Sequence, residues 1–188
     1  MSKVAVLFAE GFEEGEALTI VDIIRRANIE CHIVGVKDEL IRGAHDIVVK
    51  ADCILDESTS ECDMVVLPGG LPGATNLRDD EKVIKLIQKM NEQNKFISAM
   101  CAAPIALEKA GVLENKNYTA YPGYNEKIKT SGTYLEDEVV VDGNLVTSRG
   151  PATAYAFAYK LVDVLGGDSL AVKNRMVYFN SFNVKEEK

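Results

Sequence analysis

Tryptophan is absent from these 188 residues, histidine occurs twice, and no two of the four cysteines stand in a C-x-x-C pair. Each shortage excludes something. His32 and His45 are isolated, with no clustered Cys/His spacing, which speaks against a zinc centre. A chain of this length buries a core large enough to hold without disulfide staples. Basic residues are outnumbered, 21 Lys and Arg against 29 Asp and Glu for a net charge of −8. That leaves no basic stripe for nucleic acid and no attraction to an anionic membrane surface. No apolar run approaches the roughly 20 residues of a membrane span, and the opening residues are too brief a stretch for a signal peptide. The cytoplasm is the expected compartment.

What is present is ordinary for a globular chain, 47% apolar and 27% charged, and points to one α/β domain over residues 1–188. Lys3 to Phe8 reads as a strand buried on both faces. A turn rich in glycine and carboxylates follows, then a helix with Ile20, Ile23, Ile24 and Ala27 on one face, closed by Asn28. Glu30 to Val36 is the second strand, completing a right-handed β-α-β unit. Residues 38–57 break the rhythm with short apolar pieces, expected as a small antiparallel excursion. Met64 to Leu67 is again a buried strand, and Asp79 to Gln93 an amphipathic helix with Val83, Ile87 and Met90 inward and Lys82, Lys85 and Lys89 outward. Phe96 to Met100 is a strand, Ala103 to Ala110 a helix and Tyr118 onward a short strand running into a loop. Strands on either side of Asp142-Gly143-Asn144 predict a hairpin. Ala152 to Leu165 is an alanine-rich helix stopped by Gly166-Gly167, and a last short helix precedes the tail Lys185-Glu186-Glu187-Lys188. The alternation predicts a mostly parallel sheet with helices on both faces, the first four long strands ordered 2-1-3-4.

Cys101 stands where the Phe96–Met100 strand meets the helix beginning at Pro104. Ala99, Ala102 and Ala103 surround it, giving the small neighbours that a sharp strand-to-helix elbow requires. Pro104 suits a first helical turn, and a helix N-terminus favours a thiolate. The competing reading is a small buried core residue. Cys31, in an apolar strand, is expected in the core; Cys53 and Cys62 flank a loop-like stretch, where surface or half-buried thiols are expected.

In the 2-1-3-4 order, the loops after the first, third and fourth strands crowd one crevice. They carry Glu13, Glu14 and Glu16, then Gly69-Gly70, then Cys101. A protonated carboxyl could share its proton with the thiolate, whereas an ionised one would repel it. Periodicity does not choose Glu16 over its neighbours, and solvated caps are the ordinary fate of Glu13 and Glu14. The N–H groups of Gly70 and Ala102 could form an oxyanion hole, or Gly69-Gly70 could be an ordinary tight turn. His32 lies inside a strand and His45 in the irregular excursion, so neither is expected as a base for a Cys-His hydrolase.

Taken in order, Glu13-Glu14-Gly15-Glu16, the run from Asp63 to Gly70, the run from Ala99 to Pro104 and Thr147-Ser148-Arg149-Gly150-Pro151 resemble the DJ-1/ThiJ/PfpI superfamily, in its DJ-1-like branch. The resemblance covers essentially the whole chain. It implies a flavodoxin-like, glutamine-amidotransferase-type sandwich and a homodimer. It also implies Glu16 as the carboxyl partner of a reactive Cys101, with Gly70 and Ala102 as oxyanion donors. Gly69, Tyr121, Arg26, Gly150 and Pro151 are expected around the substrate on the same ground. Two departures argue against peptidase activity: Tyr121 replaces the histidine that close relatives carry before the proline, and Ala102 stands where PfpI-type proteases place a histidine.

The resemblance implies action on a small 2-oxoaldehyde, of glyoxalase or deglycase type, with no cofactor. A 2-oxoaldehyde plus water has the composition of a 2-hydroxy acid, so no redox group is needed. The alternative is a redox sensor or redox-regulated chaperone, acting by oxidation of Cys101.

Overall fold

A computed structural model describes residues 2–179, so the tail from Lys185 lies outside the described residues. The first strand, β1 (Lys3–Phe8), is buried from Val4 onward, as a parallel strand covered on both faces must be. Helix α1 (Glu14–Arg26) turns Ile20, Ile23 and Ile24 into the core, and Asn28 in the left-handed region (φ 58°) ends the turn after it. β2 (Glu30–Gly35) then pairs in parallel with β1 along its full length.

The irregular stretch resolves into two different things. β3 (Leu40–Arg42) and β4 (Val48–Lys50) form the expected antiparallel hairpin. β5 (Cys53–Ile54), expected as part of that excursion, instead joins the main sheet in parallel beside β2. β6 (Met64–Leu67) is wholly buried and leads to α2 (Gly73–Asp79), a short helix that the sequence pattern did not announce. α3 (Glu81–Glu92) is capped by Asp80, whose carboxylate accepts from the Lys82 and Val83 N–H groups. It buries Val83, Ile87 and Met90 as its periodicity requires, with the three lysines in solvent.

β7 (Phe96–Met100) and α4 (Pro104–Lys109) flank the elbow, with proline at the start of the helix. β8 (Asn117–Tyr118) and β9 (Thr133–Tyr134) form a small separate pair, and β10 (Val139–Asp142) and β11 (Leu145–Ser148) the expected hairpin. The alanine-rich helix begins later than expected. Thr153 Oγ1 bonds to both the N–H and the carbonyl of Gly150, holding Pro151–Thr153 in a 3-10 turn before α5 (Ala154–Val164). α6 (Ser169–Arg175) follows.

The main sheet runs β10-β11-β7-β6-β1-β2-β5, parallel except for β10. It contains the expected 2-1-3-4 order as β2-β1-β6-β7. The steps β1 to β2 and β6 to β7 travel in opposite directions along the sheet. Right-handed crossovers therefore place α1 and α3 on opposite faces. α5 packs on α1, while α2 and α4 pack together and with α3. Among the described residues, no helix is long and apolar enough to cross a membrane.

Candidate active site

At Cys101 the chain leaves β7 and turns within one residue. Its φ of 59° lies in the left-handed region, which costs a residue bearing a Cβ about 1–2 kcal/mol. The corner is held from two sides: Cys101 N–H donates to the Ser148 carbonyl (3.0 Å), and its own carbonyl accepts from Tyr121 N–H (2.8 Å). Ala99, Ala102 and Ala103 are buried against it, leaving no room for larger neighbours.

Glu16 rises from the first turn of α1 and is fully buried. Gly69 N–H donates to its Oε2 (2.7 Å), while Oε1 is buried without a conventional partner. The thiol interacts with this carboxyl and with the N–H groups of Ala102 and Gly70. Both glycines are required by space. A Cβ at Gly69 would come within 2.5 Å of Cys101 Cβ and 2.8 Å of Glu16 Oε2, and one at Gly70 (φ 90°) within 2.3 Å of the Glu13 nitrogen. An ordinary tight turn would not explain such crowding.

Burial pushes the Glu16 carboxyl up to about 7; the Gly69 N–H and Cys101 pull it back and the charge of Glu13 adds to the rise. Burial also pushes the Cys101 thiol up, followed by the charge of Glu16, while the Ala102 and Gly70 N–H groups pull it down. Two anions cannot coexist in so dry a corner, so the pair keeps at least one proton between them. With the proton on Glu16, Oε1 becomes a donor and the backbone N–H groups face a thiolate. Cys31 and Cys62 are buried and Cys53 exposed, and burial raises all three thiols, Cys31 to about 12. Cys62 is thus more enclosed than its loop-like setting suggested.

Tyr121 follows the elbow closely, as its backbone contact with Cys101 shows. Its ring is half-exposed and lies against Gly150, where an added Cβ would approach to 3.3 Å. Pro151 is exposed just beyond. Arg26 is not brought to the site. It lies in the last turn of α1, roughly 15 Å along the axis from Glu16, and pairs with Asp22 (2.7 Å).

The neighbouring carboxylates depart from expectation. Glu14 is no solvated cap: it is buried, and Oε1 accepts from the N–H groups of His45 (2.8 Å) and Ile47 (3.3 Å). Its Oε2 meets His45 Nδ1 at 3.0 Å, and Glu13 lies 3.7 Å from the same nitrogen. Glu13 N–H in turn donates to the Gly69 carbonyl (2.9 Å), so His45 reaches the rim of the crevice after all. Ser148, part of the Thr147–Pro151 run but given no role of its own there, is fully buried and its hydroxyl bonds to Glu138 O and Thr153, fixing the strand end that holds Cys101. His32 pairs with Glu30 (2.7 Å) away from the crevice. A cavity of about 630 Å³ lies elsewhere, between Leu55–Ser60 and the lysine face of α3.

A family model described as the DJ-1/PfpI family matches residues 2–164. Protein dj-1beta of Drosophila melanogaster is 39% identical over 171 residues, covering 89% of this chain and 91% of that protein. A deglycase of Pyrococcus horikoshii is 34% identical over 165 residues, 87% of this chain and 99% of that one. The crystal structure of Drosophila melanogaster DJ-1beta matches with a TM-score of 0.88 and 37% identity, covering 94% and 98% of the two chains.

Proposed function

The chain belongs to the DJ-1/PfpI family, and on that premise we propose that it converts small 2-oxoaldehydes such as methylglyoxal by covalent chemistry at Cys101. One observation carries the reading: a thiol on a left-handed corner, flanked by a buried carboxyl able to hold its proton and by two backbone N–H groups. The deglycase name of the Pyrococcus horikoshii relative supports carbonyl chemistry of this class.

The thiolate adds to the aldehyde carbon, forming the C–S bond of a hemithioacetal while the carbonyl oxygen takes a proton. The developing oxyanion lies near the Gly70 and Ala102 N–H groups. Glu16 removes the proton from the former aldehyde carbon and returns one to the adjacent carbon, passing through an enediol. The resulting thioester of the 2-hydroxy acid is cleaved by water, releasing the acid and restoring the thiol. No electron leaves the pair of reactants. Tyr121, half-exposed and tied by its N–H to the Cys101 carbonyl, is the candidate proton donor in this scheme. Gly69, Gly150 and Pro151 shape the approach, and Arg26 has no part within one chain.

The test is lactate formation from methylglyoxal by protein freed of contaminating glyoxalase, comparing wild type with Cys101→Ser and Glu16→Gln. Turnover confined to wild type is expected; an inactive wild type would overturn the reading.

A second reading, redox sensing or redox-regulated chaperone action, is favoured by the setting of Cys101: burial raises all four thiols, and at Cys101 the backbone N–H groups of Ala102 and Gly70 and the Glu16 carboxyl stand against the sulfur. Peroxide titration with mass mapping tests it, and equal oxidation of all four cysteines argues against it. Peptidase action has little support, because His45 meets Glu13 and Glu14 and the position after Cys101 is alanine. A cytoplasmic homodimer completes the proposal. The exposed Leu18, Leu40, Ile47 and Val48 support self-association, which light scattering on the purified chain and cell fractionation would check.

A further inference from the structure

We propose that Glu13, Glu14 and His45 form a binding site for one divalent cation of borderline character, such as Zn²⁺ or Co²⁺, at the rim of the Cys101 crevice. Nothing in the spacing of the sequence points to it. The ligands come from two elements, the start of α1 and the loop between β3 and β4, and one donor atom from each lies within 4.8 Å of the others. His45 Nδ1 stands 3.0 Å from one carboxylate oxygen of Glu14 and 3.7 Å from one of Glu13. Ligand atoms about 2.1 Å from a shared ion are separated by about 3.0–3.7 Å when the angles at the ion are roughly 90–125°. The imidazole nitrogen therefore already stands at coordination spacing from both carboxylates, whose own oxygens lie within 4.8 Å of each other, and an ion would replace the His45–Glu14 hydrogen bond while drawing the carboxylates together.

The supporting shell is in place. Glu14 uses Oε1 for the N–H groups of His45 and Ile47, which fixes the plane of its carboxylate and leaves Oε2 directed at the imidazole. The loop itself is tied down, with Ala44 N–H donating to Phe12 O (2.8 Å) and Gly11 N–H to Arg42 O (2.7 Å). Gly43 passes so close to Glu14 that a Cβ there would fall 2.2 Å from its oxygen. Such outer contacts orient ligands and strengthen binding.

Charge favours an occupant. Glu13 caps α1 without making a side-chain capping bond and keeps only a fifth of its side chain exposed, beside a second, buried carboxylate. Among the described residues, no lysine or arginine pairs with either. With His45 neutral, the two carboxylates outweigh the partial charge of about +0.5 at the α1 N-terminus. His45 is largely open to solvent, so water or a ligand oxygen could complete the coordination.

The experiment titrates the full 188-residue chain with Co²⁺, read by visible absorption and calorimetry, in wild type, Cys101→Ser, His32→Ala, His45→Ala and Glu13→Gln. One Co²⁺ per chain is expected in wild type, Cys101→Ser and His32→Ala, with affinity at least tenfold weaker in His45→Ala and Glu13→Gln. Unchanged affinity in His45→Ala, loss of the ion in Cys101→Ser, or no uptake at about 1 mM Co²⁺ would each overturn the proposal. Thermal melts establish that the variants fold; should Glu13→Gln fail to, the largely exposed His45→Ala decides alone.

Discussion

Cys31 and Cys101 are buried almost equally, 7% and 9% exposed, yet their surroundings differ in kind. Cys31 lies inside a regular strand, paired with Val4, and burial alone accounts for most of the rise of its thiol to about 12. Cys101 sits one residue past a strand, in a conformation that strands do not use, where free backbone N–H groups converge and a carboxyl arrives from α1. Burial by itself makes a thiol inert. A thiol that is to react needs donors that favour the anion and a group to take the proton, and the proposed role of Cys101 rests on its having both.

The largest effect that would break this contrast is expected at the elbow itself. Cys101→Ser should abolish methylglyoxal turnover, a loss of about 10³-fold or more, with retained thermal stability showing that only chemistry is lost. Glu16→Gln comes next, lowering turnover by about 10²–10⁴-fold. This change should also stabilise the protein in alkaline solution. Folding raises the Glu16 pKa from 4.5 to about 7, so its contribution is fully present below pH 4.5 and is lost as pH rises to about 7. At about pH 8, Glu16→Gln should exceed wild type by up to about 3 kcal/mol in urea unfolding, and the difference should vanish near pH 4.

Gly69→Ala is smaller, expected to cost about 1–3 kcal/mol by forcing Cys101 and Glu16 apart, with a matching slowing of thiol labelling. Smallest is Cys31→Ala, which should cost about 1–2 kcal/mol in unfolding and leave turnover unchanged. A large loss of turnover in Cys31→Ala would erase the distinction between the two thiols.

The legibility of the chain follows the reach of each signal. The buried strands β1, β6 and β7 showed as unbroken apolar runs, and α1 and α3 as apolar faces at helical spacing. The corner at Cys101 showed through its small neighbours. α2 did not, because seven residues starting at Gly73, just after Pro72, offer turn signals and too little length for a periodic face. β5 was missed for a similar reason: two residues cannot display an alternation, and only pairing with Val34 and Gly35 makes them a strand. Glu13, Glu14 and Glu16 looked alike in sequence and came to three different fates, one half-buried beside His45, one buried beneath the hairpin loop, one against the thiol.

By itself, then, the sequence determined the types of the longer elements, the order of the central strands and the presence of a cramped corner carrying Cys101. These depend on local spacing and side-chain size. Only the tertiary structure decided that Glu16 is the carboxyl facing the thiol, that Arg26 stays at the far end of α1, and that His45 reaches Glu14. A period of 2 or 3.6 tells which way a residue faces but never what it will meet there. Contacts between distant residues leave no trace in local spacing, and here they set which carboxyl faces the thiol.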